Sequence, residues 1–289
     1  MDIQQPVKEI VKKRNSCRTY RETPIAVEHQ QRLNDFLSKN RTGPFGTRLR
    51  FQLITATAKD HDALKELGTY GFIKNAPGFL VGAVTDTSRD LEDYGYAMEK
   101  NILFAGGMGL GTCWLGGSFT KSTFSQKISA GPDESVPAVT AIGYAAPKKS
   151  MVEKAIRWGA GAKNRKPWHE LFFDQTFDSA LLPDTTGVWA DPLEAVRLGP
   201  SASNRQPWRI VKQADGNAFH FYLQRTKGYY KRNRTLFNMA DLQRVDMGIA
   251  MCHFEMTFRD IGLGGTWRFD ESQAVALPEL TEYVASWVE

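Results

Sequence analysis

An α+β fold built from two similar halves is what this sequence predicts, on three observations. Helix-like and strand-like segments alternate along the chain, one long stretch recurs later without a gap, and a second, shorter motif recurs faintly at nearly the same offset.

The elements follow in order. The opening IQQPVKEIVKKRN has an apolar period that predicts a helix ending by Arg14, and VEHQQRLNDFLSKN, after Pro24, predicts a second helix ending near Asn40. Arg14 to Tyr20 is then a connecting loop. RLRFQLITAT and APGFLVGAVTD are β-rich runs bounded by turn residues, followed by a long helix from about Leu91 to Met108 and a strand at VPAVTAIGYA. From Pro147 the segment PKKSMVEKAIRWGAGAKNRKPWHELFF sustains no period and reads as a crossover.

The stretch DYGYAMEKNILFAGGMGLGTCW at Asp93 to Trp114 aligns without a gap on DMGIAMCHFEMTFRDIGLGGTW at Asp246 to Trp267, an offset of 153 residues from Gly95 to Gly248. Identities fall at Asp93/Asp246, Gly95/Gly248, Ala97/Ala250, Met98/Met251, Gly109/Gly262, Leu110/Leu263, Gly111/Gly264 and Trp114/Trp267, the pattern of a helix closed by a glycine. The fainter echo joins Gly43-Pro44 and RLRFQLI to Gly199-Pro200 and PWRIV. The chain is therefore expected to hold a first half over 1–150, a crossover over 151–192 and a second half over 193–289.

At 289 residues and 42% hydrophobic, the chain can bury a substantial core. No apolar run approaches the roughly 20 residues needed to span a bilayer, and the N-terminus lacks a secretory apolar region, so a cytoplasmic location without a membrane partner is expected. Cys17, Cys113 and Cys252 lie far apart, without the spacing of a disulfide framework or a zinc site, and the five histidines show no ligand spacing. The formal charge of +5 is mild, and the basic residues cluster only around Lys12 to Arg18, Lys163 to Lys166 and Arg225 to Arg234. Local anion sites fit this better than a nucleic-acid face.

Two strings carry chemistry. RNSCRTY sets Arg14, Ser16 and Arg18 at alternate positions, so an extended loop would turn all three side chains the same way, as an anion clamp of two guanidinium groups and a hydroxyl. GPSASNRQPW carries the donors and acceptors of Ser201, Ser203, Asn204 and Gln206 beside Pro200 and the small Ala202, a density of groups able to read a heterocycle. A Rossmann reading of GGMGLG fails on spacing, because Thr112 stands where the last glycine belongs.

RxSxRxY near the N-terminus, GPSASNRQPW, GLGTCWLGG after a helix, and KNRKPWHELFF together resemble the FMN-dependent nitroreductase family over nearly the whole chain. The resemblance implies a three-layer α/β/α fold and one flavin mononucleotide (FMN). Arg14 and Ser16 would take the phosphate, with Arg18 at the phosphate or the pyrimidine edge, and Lys163 and Arg165 would complete the anion site. Leu115, Gly116 and Gly117 would bring backbone to the N5 edge, and Lys74 would place charge at the N1/O2 edge. Pro200, Ser201, Ala202, Ser203, Asn204 and Gln206 would cover the ring. In the usual member the PSxxNxQPW loop precedes GLGTCW, whereas here Pro200 follows Gly109. The repeat accounts for this if the halves stand for the two subunits of the family's homodimer, a single-chain pseudo-dimer. Of the two sites such a dimer would have, one has lost both loops: LLPDTTGVWADP and GPFGTRLRF stand in their places.

The activity implied is ping-pong hydride transfer from NAD(P)H through FMN to a small-molecule electron acceptor such as a nitroaromatic or quinone, by a monomer. No side chain reads as a dedicated acid, base or nucleophile, as expected where a cofactor performs the chemistry. An FMN carrier without turnover, or another reaction on the same scaffold, remains an alternative at this stage.

Overall fold

The computed structural model describes residues 5–55, 64, 69–148, 150, 153, 164–214, 218–232, 239–269 and 276–289. Helices α1 (Val7–Lys13) and α2 (Val27–Lys39) lead into strands β1 (Leu49–Thr55) and β2 (Gly78–Thr85), helix α3 (Asp90–Gly107), β3 (Gly111–Leu115), α4 (Lys121–Lys127), β4 (Glu134–Ser135) and β5 (Val139–Gly143). Then come β6 (Phe172–Asp174), α5 (Ala190–Leu198), β7 (Trp208–Lys212), β8 (Ala218–Gln224), α6 (Leu242–Asp260), β9 (Thr266–Arg268) and β10 (Thr281–Val288). The helices and strands expected from periodicity in the first half are present, with ends shifted by a few residues.

The strands form two five-stranded sheets. The first runs β1-β2-β5-β3, with β4 also pairing β2, and the second runs β6-β7-β8-β10-β9. With the edge strands β4 and β6 set aside, the same order recurs in both, and every such pair is antiparallel. β6 is the exception, parallel to β7 and drawn from the segment between the halves. In each sheet the second and last strands in the order bracket a long helix in sequence, α3 or α6.

Both long helices end the same way. Gly109 and Gly262 adopt φ of +78° and +82°, which ordinary side chains resist. Leu110 N–H then reaches back to the Ala105 carbonyl at 3.1 Å and Leu263 N–H to that of Phe258 at 3.2 Å, closing the exposed carbonyls of the last turn. At its start α6 has Asp241, whose side chain accepts from Gln243 N–H at 3.2 Å.

α3 and α6 pack on each other, and nearly every residue of both is buried, which explains why neither sequence shows a polar face. Glycine permits the approach. A Cβ on Gly95 would lie 2.1 Å from the Val245 carbonyl oxygen, and one on Gly248 would lie 1.9 Å from that of Glu92. Gly95 corresponds to Gly248 and Glu92 to Val245 in the repeat, so this contact is the same one made twice with the halves exchanged. A hydrophobic core lies on each side: Leu80, Val84, Tyr94, Ile102 and Ile142 against the first sheet, and Phe219, Phe221, Phe254, Phe258 and Trp287 against the second.

Candidate functional site

The loop after α1 lies along the edge of the first sheet as an added, irregular strand. Cys17 N–H bonds the Thr112 carbonyl at 2.9 Å, Lys74 N–H bonds the Arg18 carbonyl at 2.8 Å, and Tyr20 N–H bonds the Lys74 carbonyl at 3.1 Å. On this extended backbone Ser16, Cys17 and Arg18 alternate as RNSCRTY predicts, and the alternation lapses by Tyr20. Cys17 and Tyr20 point into the core, while Arg14, Ser16 and Arg18 are half-buried. Nη1 of Arg14 and Nη1 of Arg18 are buried and have no hydrogen-bond partner among the described residues. Two desolvated guanidinium nitrogens without acceptors are costly in a protein interior, and an anion satisfies both.

The second component, Pro200 to Trp208, is held in an unusual backbone conformation. Ser203, Asn204 and Gln206 adopt φ of 49°, 53° and 50°, a cluster of left-handed residues in which none is glycine. Side chains compensate for that strain. Asn204 Oδ1 accepts from Arg165 Nη1 at 3.0 Å and its Nδ2 donates to the Asn164 carbonyl at 2.8 Å. Gln206 Oε1 accepts from Lys166 N–H at 2.8 Å, and Arg209 Nη1 supports the loop from beneath through the Gln206 carbonyl at 3.1 Å.

The two components meet in one cavity of about 210 Å³, lined by Ser16, Arg18, Trp114, Gly116, Gly117, Ala138, Pro200, Ser201, Ala202, Ser203, Tyr229, Met239, Leu242, Val245, Asp246 and Ile249. Eight of the residues expected from sequence are therefore together: Ser16, Arg18, Gly116, Gly117, Pro200, Ser201, Ala202 and Ser203. The glycines matter for shape, because a Cβ on Gly116 would lie 2.5 Å from Leu242 Cδ1 and one on Gly117 would lie 2.6 Å from Met239 Sδ. Arg14, Lys74, Leu115, Arg165, Asn204 and Gln206 are outside the lining. Leu115 is buried in β3 and Lys74 is exposed, while Arg165, Asn204 and Gln206 brace the loop as described above. Lys163 lies outside the described residues.

Sequence reading missed several lining residues. Leu242, Val245, Asp246 and Ile249 form the apolar-spaced face of α6 turned to the cavity, a signal present in the repeat but indistinguishable there from helix packing. Trp114 is steered by a buried carboxylate, since its Nε1 donates to Glu99 Oε2 at 2.6 Å. Glu99 Oε1 meets His253 Nε2 at 2.8 Å, and His253 Nδ1 faces the Ala195 carbonyl at 2.8 Å, which requires that Nδ1 carry the proton. Burial works against the Glu99 carboxylate, yet His253, Arg14 and Trp114 together hold its pKa below the usual value. Tyr229, in the basic cluster that runs on to Arg234, bonds Ser203 through its hydroxyl at 3.1 Å and carries the Arg205 guanidinium over its ring.

The thiols are core groups. Cys113 is 1% exposed and its pKa is raised by burial, and burial also pushes Cys17 up to about 11, so neither is poised as a nucleophile. Among the described residues there is no cluster of His, Cys, Asp and Glu that could hold a metal, and no helix long and apolar enough to cross a membrane.

The positions equivalent by the repeat look different. Phe269 stands where the first half has Gly116, and its ring stacks on Phe45 at 3.9 Å. Arg89, the counterpart of Leu242, sits 5.6 Å over the Phe45 ring. At the positions equivalent to Gly116 and Leu242 there is thus an aromatic stack with a guanidinium over it.

Residues 6–258 match the family model described as "Putative TM nitroreductase". Among solved structures, a "putative nitroreductase" from Thermotoga maritima MSB8 shares 19% identity at a TM-score of 0.60, covering 98% of this chain and 94% of its own. A nitroreductase with bound FMN from Bacteroides fragilis NCTC 9343 shares 21% identity at a TM-score of 0.38, over 51% of this chain and 92% of its own. A nitroreductase family protein from Clostridium difficile 630 shares 17% identity at a TM-score of 0.41, over 56% of this chain and 94% of its own. No match was found among curated proteins.

Proposed function

Since the chain belongs to this nitroreductase family, we propose that it is an FMN-dependent oxidoreductase that binds one FMN per chain and passes a hydride from NAD(P)H to an electron-poor acceptor such as a nitroaromatic or quinone. The observation that carries this reading is the cavity that Arg18 and the 200–203 loop line together, where a buried guanidinium nitrogen of Arg18 has no partner among the described residues beside a loop shaped by three left-handed residues.

The residues present fit the cofactor. Ser16 and Arg18 form the anion-binding side of the cavity, with Arg14 beyond the lining, and Gly116 and Gly117 let Leu242 and Met239 close on the main chain of the opposite wall. Ser201, Ala202 and Ser203 form the cover, with Asn204, Gln206 and Arg165 holding it in place. The enclosed volume is below the roughly 300–1,000 Å³ of a pocket that encloses a whole drug-sized ligand, so part of the mononucleotide would extend towards Arg14 and Arg165, outside the lining. FMN, when bound, supplies the two-electron hydride chemistry. The chain's own task is to orient the ring, exclude water with Tyr229, Met239 and Leu242, and set the cationic Arg18 beside negative charge as it develops.

The shared strand order, the reciprocal glycine contacts and the ungapped repeat support a fused pseudo-dimer that works as a monomer. The Phe45–Phe269 stack supports a single flavin. Titration of ligand-free protein with FMN tests the stoichiometry: one equivalent is expected, and two would refute it. Stopped-flow absorbance tests the activity, with bleaching by NADH or NADPH and recovery on adding a quinone or nitroaromatic. A bound flavin inert to both donors would leave the protein an FMN carrier instead.

A further inference from the structure

Asp246 lies in the cavity wall, and the function proposed above gives it no task. Its counterpart in the repeat is Asp93, and the pair differ in one respect. Asp93 is fully used: Oδ1 accepts from Phe45 N–H and Oδ2 from Thr47 N–H, both at 2.8 Å, in the loop that corresponds to the cover loop. Asp246 Oδ1 accepts from Ala202 N–H at 2.9 Å in the cover loop itself, but Oδ2 has no partner among the described residues although Asp246 is only 2% exposed. Of the two equivalent carboxyl groups, the one in the cavity wall is thus the one with an oxygen left over.

Among the described residues no cation is paired with it. On its own helix, Arg244 is bound to Glu92 and Asp90 of α3, and Asp241 is bound by Arg225. From the opposite wall Arg18 and Ser16 line the same cavity, and Tyr229 and Ser203 are the polar groups above it. An ionised carboxylate with a bare buried oxygen is strongly disfavoured, whereas a protonated one carries an O–H that needs an acceptor. Burial, reinforced by Asp241, raises the Asp246 carboxyl well above the usual carboxylate range.

We propose that Asp246 is a neutral carboxylic acid that donates a hydrogen bond from Oδ2 to a lone-pair atom, a carbonyl oxygen or ring nitrogen, on the edge of the ring bound in the cavity. This rests on the flavin-binding reading and extends it: the site selects heteroaromatic rings with an edge acceptor over rings without one. Asp246 is then the one protein O–H in the wall of α6 that can read the ligand.

The test measures FMN affinity by quenching of flavin fluorescence in wild type, Asp246→Asn and Asp246→Leu. Asparagine keeps an oxygen for Ala202 N–H and offers an N–H in place of the O–H, while leucine offers neither. The expected result is that Asp246→Asn stays within about threefold of wild type and Asp246→Leu binds at least about tenfold more weakly. Equal losses in both variants would overturn the proposal. Infrared difference spectra of the ligand-free proteins at neutral pH give a readout without flavin. A protonated-carboxyl band present in wild type and absent in Asp246→Asn is expected, and a wild-type spectrum without it would also overturn the proposal. If the protein binds no FMN, the flavin reading fails while the infrared result still decides the state of Asp246. If neither variant folds, wild-type affinity decides: it should hold through neutral pH and decline at alkaline pH, and an increase on deprotonation would refute the donor role.

Discussion

Replacing Gly248 by alanine tests the packing that brings the halves together. The added Cβ would lie 1.9 Å from the Glu92 carbonyl oxygen and 2.5 Å from the Tyr96 nitrogen, both main-chain atoms of a buried helix. Ordinary contact is about 3.5 Å, so α3 and α6 would have to part by roughly 1.5 Å along their most extensive contact. Alanine gains about 1 kcal/mol of helix propensity over glycine, and a forced backbone displacement in a packed core costs about 3 kcal/mol or more. The net loss is roughly 2 kcal/mol, which for a chain of this size lowers Tm by roughly 3 °C. Val245, Asp246 and Ile249 move with the helix, so FMN binding should weaken as well. Thermal unfolding followed by circular dichroism, paired with FMN titration, reads both effects. Gly264→Ala is the control, since a Cβ there meets nothing within 4 Å and its stability should stay within about 0.5 kcal/mol of wild type. A Gly248→Ala protein as stable as wild type would refute the close-approach argument.

Arg14→Ala should weaken FMN at least about tenfold and leave riboflavin, which has no phosphate, unchanged; equal losses for both would place Arg14 away from the anion. Trp114→Phe strands Glu99 Oε2 without its donor and should cost about 1–3 kcal/mol, read as a lower urea midpoint. The Asp246 carboxyl is raised in the folded state, so the stability it contributes is present below the ordinary carboxylate pKa of about 4 and is lost as pH rises through its folded value. The difference in urea midpoint between wild type and Asp246→Asn should therefore shift against wild type as pH increases, and a difference that does not change with pH would contradict the raised carboxyl.

In the first half α1, α2, β1, β2, α3 and β5 were legible because apolar period and turn residues are local properties, and the same holds for the glycine caps at Gly109 and Gly262; the short β3, α4 and β4 were not read. In the second half α6 and the strand β7 were legible through their likeness to the first, whereas α5, β8 and β10 were not read, nor was β6 in the crossover, three residues long and dependent on pairing with β7. In the candidate site, the alternation in RNSCRTY placed Ser16 and Arg18 in one lining with Cys17 turned into the core, because Cys17 and Thr112 pair as neighbouring strands do, while Arg14 lies outside that lining. Asn204 and Gln206 were expected to cover a ring. Their hydrogen bonds go to the 164–166 segment, a role that depends on which chain segment lies behind the loop.

By itself the sequence determined that one stretch recurs 153 residues later, where the long helices stop, and which loops hold the closely spaced arginines and the polar groups, since each is written in residue type and spacing. The tertiary structure alone decided that Arg18 and Ser201 face a common cavity, that Phe269 and Phe45 stack on each other, and that Asp246 retains an unshared oxygen where Asp93 does not. These depend on the crossing of α3 and α6. Close approach at Gly95 and Gly248 sets which distant residues become neighbours, and no local pattern encodes a distance between segments 153 residues apart.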